Sequence, residues 1–232
     1  MIHYHGTPIT PRSQLLRMGG RNFCVSFAAH NDLKTCLEIG QSVMLDNGAF
    51  SAHTRGARLD PEKFYAWIEP ILAPPHWAVV PDAIGGSVEE QHKLISTWPR
   101  ETFGYKKACA VWHLDKPFSW LHNLIAAFPK VAIGSAGEFW KVGSDKWAHR
   151  MDETFNEIER VHKTMPWIHG MRMLGQAAER WPLASADSTN VAQNFSKRTG
   201  CAECMAAPID REQPSMVWKR AKLQASLFSH DA

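Results

Sequence analysis

The chain has 232 residues, 44% apolar and 21% charged, with a net charge of +3. That make-up suits one soluble domain of barrel size or two small ones. No apolar run approaches the roughly 20 residues of a membrane span, and Met1-Ile2-His3-Tyr4-His5 lacks the basic-then-apolar order of a secretory signal. Five scattered cysteines, Cys24, Cys36, Cys109, Cys201 and Cys204, fit a reducing cytoplasm.

Taken in chain order, short β-rich apolar runs alternate with stretches of helical period. Ile2–Gly6 and Phe23–Ala28 are the first two strands, with helices over Arg12–Met18 and Asp32–Ile39. Ser42–Asp46 follows, then a helix over Pro61–Ala73 that has Asp60 as N-cap and Pro at its first position. Trp77–Pro81 is the fourth strand. Val88–Trp98 opens on Ser87 with Glu90 three residues on, the pattern of a capping box. Strands over Ala108–Leu114, Val131–Gly134, Trp167–Leu174 and Leu183–Ala186 alternate with helices over Phe118–Phe128, Asp145–Met165, Ala177–Arg180 and Val191–Arg198. Ser215–Ser229 is the last helix. Eight such units predict a compact (β/α)8 TIM-like barrel over residues 1–198, followed by a C-terminal segment, 199–232, packed on it. A doubly wound open sheet is the alternative, but no G-x-G-x-x-G follows the first strand.

In a barrel the working residues lie where strands run into the βα loops. Three of these places put an aspartate directly after an apolar run: Asp46, Asp82 and Asp187. One such Asp is an ordinary turn former or helix cap. Three on one rim, with glycine beside two of them, predict a pocket of carboxylates able to serve as acid, base or nucleophile. Arg55, Arg58, Lys141, Lys146, His149 and Arg150 add positive charge in or beside loops. Lys197, Arg198, Lys219, Arg220 and Lys222 make the last quarter basic. A phosphate backbone would suit such patches, although charge alone favours a plain solvated face.

The strand-end segments bear a family resemblance. Asp46-Asn47-Gly48-Ala49-Phe50 resembles the D-S-G-G-F/Y segment of tRNA-guanine transglycosylases, and Val131-Ala132-Ile133-Gly134-Ser135 resembles their G-G-L-A-V-G-E. Met173-Leu174-Gly175 is similar to their L-M-G-V-G, and Ala186-Asp187-Ser188 to the F-D-S/C that carries the nucleophile. The order matches from about Ser42 to Asn190. The short chain is most like the DNA-directed DpdA members found in phages and bacterial modification clusters.

The resemblance implies a pentosyltransferase that replaces guanine in DNA with a 7-deazaguanine such as preQ0, through a covalent sugar–aspartate intermediate. It makes Asp187 the nucleophile and Asp46 the general acid/base. Asp82, Asn47, Phe50, His113, Gly134, Ser135, Met173 and Gly175 would bind the base. Arg55, Arg58, Lys197, Arg198, Lys219 and Arg220 would contact phosphates. The family also holds zinc with C-x-C-x2-C and a later His. Here Cys201-x2-Cys204 precedes His230, with Thr199 at the first Cys position, so Cys201, Cys204 and His230 would hold a structural Zn2+. The expected partners are DNA, the free base and a second copy of the chain, in the cytoplasm and away from membranes. The alternatives are exchange in tRNA, a hydrolase that releases the base, and a non-catalytic nucleic-acid-binding barrel.

Overall fold

The computed structural model describes residues 1–221. Eight parallel strands pair each with the next, and the eighth pairs with the first, to close a barrel. They are β1 (Ile2–Gly6), β2 (Asn22–Ser26), β3 (Val43–Asp46), β4 (Trp77–Val79), β5 (Ala108–His113), β6 (Lys130–Gly134), β7 (Trp167–Gly170) and β8 (Ser185–Ser188). The helices are α1 (Arg12–Leu16), α2 (Leu33–Ile39), α3 (Ala49–Thr54), α4 (Pro61–Ile68), α5 (Val88–Ser96), α6 (Arg100–Phe103), α7 (Phe118–Ala127), α8 (Asp145–Val161), α9 (Asn190–Arg198) and α10 (Ala202–Arg211). This is the (β/α)8 architecture that the alternation predicts. No described helix is long and apolar enough to cross a membrane.

Alternation along each strand sorts the side chains into two cores. Tyr4, Cys24, Met44, Trp77, Val79, Cys109, Val111 and Ala132 fill the barrel. Phe23, Val25, Val43, Leu45, Ala110, Trp112, Ile133 and Ile168 point outward against the helices. The barrel interior is floored by aromatic rings. Trp77 donates its indole N–H to the Tyr4 hydroxyl at 2.8 Å and meets that ring edge-on at 5.4 Å. Tyr4 also bonds the Ser42 hydroxyl, 2.9 Å. With the floor packed, the space left inside lies toward the C-terminal strand ends.

The predicted caps form. Asp60 accepts from Lys63 N–H, and Ser87 and Glu90 make the reciprocal capping box of α5. Several boundaries differ from expectation. β7 stops at Gly170 instead of running to Leu174, because Arg172 adopts φ +59°, a left-handed turn that no strand continues through. Ala177–Arg180 forms turns in place of a helix. There Arg180 and Trp181 reach out to the Asp152 carboxylate of α8, with bonds of 2.6–3.0 Å, and Pro182 follows. Ser215–Ser229 is irregular as far as residue 221, and the rest lies outside the described residues. Within it Trp218 is buried on α8, its indole N–H donated to Asn156 at 3.1 Å. Helices α3, α6 and α10 were not expected.

Candidate active site

At the C-terminal end of the barrel a cavity of about 370 Å³ is walled by residues from all eight strands or the loops that leave them. Asp46, Asn47, Phe50, Asp82, His113, Gly134, Ser135 and Asp187 all line it. Strand alternation accounts for the inward set. Asp46 shares a face of β3 with the interior Met44, Asp187 shares one with Ser185, and His113 shares one with Val111.

Asp187 is held from two sides. Its Oδ1 accepts the backbone N–H of Arg172 at 2.8 Å and meets His169 Nε2 at 3.2 Å. His169 is fully buried, and its Nδ1 bonds the Ser185 hydroxyl at 2.7 Å. An ionised carboxylate only accepts, so Nε2 carries the proton and Ser185 donates to Nδ1. Oδ2 has no hydrogen-bond partner among the described residues and stays available to the cavity. The left-handed turn at Arg172 aims that N–H at Oδ1, which gives the strained backbone a local purpose.

Asp46 takes one backbone bond, from Gly48 N–H at 3.1 Å. Gly48 sits at φ +79°, a conformation that favours glycine, and its Cα hydrogens leave room for Ala28. Burial pushes the Asp46 carboxyl up from its ordinary 3.8 to about 6; the Asp187 and Asp82 charges push the same way, and the Ser26 hydroxyl and Gly48 N–H oppose them.

Asp82 is clamped at both oxygens. Asn47 Nδ2 donates to Oδ1 at 2.8 Å and to the Val80 carbonyl at 2.9 Å, while His113 Nε2 donates to Oδ2 at 2.7 Å. Asn47 is itself fixed by accepting Ala49 N–H, 2.7 Å. His113 needs the glycine opposite: a Cβ on Gly134 would stand 2.5 Å from His113 Nδ1. Ser135 contributes a hydroxyl held by the buried Trp147 indole at 3.0 Å. Phe50, 47% exposed, lies beneath the Arg172 guanidinium at 4.1 Å and forms part of the cavity wall.

Two expected base-binding residues fall elsewhere. Met173 is fully buried in the outer core, and Gly175 borders a separate recess with Ser188 and Ile209. Both were placed by continuing β7 four residues too far. Met171 and Arg172 take the wall positions instead. Cys24, Ser26, His169 and Arg172 are the site residues the sequence reading missed. Alternation could have found the first three, since each shares strand parity with a residue already inside.

The basic residues divide. Arg55 and Arg58 are exposed at and after the end of α3, and neither lines the cavity. Lys197 and Arg198 end α9, about 12 Å along the helix from Asn190. Lys219 and Arg220 are exposed, and Arg220 borders a groove along α8 with Phe118 and Arg160. None of these four lines the cavity.

Cys201 and Cys204 are joined as a disulfide at the start of α10. Thr199 Oγ1 is spent on the Cys201 carbonyl at 2.7 Å, and His230 lies outside the described residues. No cluster of three metal-ligating side chains occurs among the described residues. In this disulfide neither sulfur is a thiolate, the form that ligates zinc. Family models, curated proteins and solved structures offer no match to this chain.

Proposed function

We propose that this barrel is a base-exchange transglycosylase that replaces guanine in DNA with a 7-deazaguanine. The observation that carries the reading is the set of three differently held carboxylates around one cavity: Asp187 with one free oxygen, Asp46 with a carboxyl near neutrality, and Asp82 clamped in orientation.

Asp187 Oδ2 attacks C1′ of the target deoxyguanosine, and the C1′–N9 bond breaks with its electron pair leaving on guanine. Arg172 N–H and His169 spread the aspartate charge before attack and fix the angle of approach. Asp46, protonated for part of the time near pH 6, gives its proton to the departing base. The incoming deazaguanine returns a proton to Asp46, attacks C1′ and frees Asp187. Asp82 accepts the paired N–H groups of the guanine edge. Each of its oxygens keeps a lone pair after the bonds from Asn47 and His113. A base inside a duplex cannot enter such a cavity, so the target nucleotide is single-stranded or flipped out.

The test is incubation with labelled guanine and matched DNA and tRNA substrates, followed by denaturing gels for a protein–nucleic acid adduct. Label enters DNA, and Asp187→Ala abolishes both adduct and exchange. Label in tRNA alone overturns DNA as substrate. Abasic product without added base identifies a hydrolase, and no adduct from the wild type favours a non-catalytic barrel.

A further inference from the structure

A second cavity, of about 420 Å³, adjoins the first. The two share Phe50, Ile84, Ser135 and Arg172, so the stacked Phe50–Arg172 pair is the partition between them. The far wall is the loop between β6 and α8, where Trp140 stands 68% exposed. A tryptophan left this open has neither a core to fill nor, here, a partner for its indole N–H among the described residues.

The polar groups on the lining are Arg172, Lys141, His53 and Ser135, and no carboxylate is among them. Lys141 makes no ion pair among the described residues, and the nearby Glu138 is already paired with Lys146. Just past His53, where α3 ends, come the exposed Arg55 and Arg58. An open aromatic face beside unpaired cations, leading from a base-sized cavity toward more cations, matches the chemistry of a single nucleic-acid strand: a flat π-face for a base and positive charge for its phosphate.

We infer that this second cavity is a subsite for the nucleotide adjoining the target in a single DNA strand. That neighbour's base stacks on Trp140, and its phosphate contacts Lys141 and His53. The Phe50–Arg172 partition separates the two bases. The inference rests on the reading of the first cavity as a nucleobase site. It adds that the enzyme grips at least two consecutive nucleotides.

The test uses fluorescence anisotropy of a labelled pentadeoxynucleotide with guanine at its centre, against wild type, Trp140→Ala, Trp140→Phe and Lys141→Ala. Trp140→Ala weakens binding on the order of tenfold to a hundredfold, while Trp140→Phe stays within about threefold. Lys141→Ala lowers the salt slope by about one. Unfolding curves check that each variant folds. Wild-type affinity in Trp140→Ala, or no saturable binding by the wild type, overturns the subsite. Tighter binding of the matching oligoribonucleotide overturns the assignment to DNA. Exchange of labelled guanine is measured separately. Trp140-dependent binding without exchange sinks the base-exchange reading and leaves the subsite standing; exchange with an unchanged KM in Trp140→Ala does the reverse.

Discussion

Replacing Asp46 by Asn tests the electrostatics of the cavity directly. The folded protein raises the Asp46 carboxyl to about 6 from 3.8. A raised carboxylate binds its proton more tightly folded than unfolded, so its ionisation opposes folding. That penalty is absent below pH 3.8, grows as pH climbs, and is complete once pH passes the folded value of about 6. The shift of about two units corresponds to at most about 3 kcal/mol, with the open cavity's water reducing it. Asp46→Asn keeps the shape and an acceptor for Gly48 N–H but cannot ionise. Its stability relative to wild type should therefore rise between pH 4 and pH 7 by about 1–3 kcal/mol and then level off. Urea unfolding at unit steps of pH measures this. A difference that stays flat, or that shrinks as pH rises, would refute the argument, since it would mean the pocket favours the charged form. The same variant should lose exchange activity while gaining stability, the usual trade at a strained site.

Gly134→Ala should cost about 1–3 kcal/mol by driving a methyl group to 2.5 Å from His113 Nδ1. Adding His113→Ala should recover part of that loss, and strict additivity in a double-mutant cycle would argue against the clash. Trp147→Phe removes the donor held by the Ser135 hydroxyl at 3.0 Å inside a buried contact. A loss of about 1–3 kcal/mol, read as a lower Tm, is expected; no change would mean that water replaces the bond.

The cavity was legible because barrel geometry ties position to role. Asp46, Asp82, His113 and Asp187 each stand within three residues of a strand end that could be read from apolar runs. Arg172 was not legible, because its importance comes from a left-handed backbone turn that an apolar-looking Met171-Arg172-Met173 gives no hint of. The same turn misplaced Met173 and Gly175. Helix α10 was hidden by Pro208 within it and by reading Cys201 and Cys204 as ligands; Cys201 is instead its N-cap, accepting Cys204 N–H at 3.2 Å. The short α3 was hidden because Gly48, its left-handed N-cap, reads as part of a loop.

The strand that carries Asp187 is also the one that shuts the ring. Tyr4 lies opposite Asp187, and Ile2 opposite Ser185, in the β8–β1 pairing. Pairing such remote parts of the chain closes its longest loop, at the largest entropic cost. The carboxylate proposed as nucleophile is therefore positioned by the contact between the two ends of the sheet. Any change that opens the β8–β1 seam therefore takes Asp187 away from Asp46 and Asp82 across the cavity.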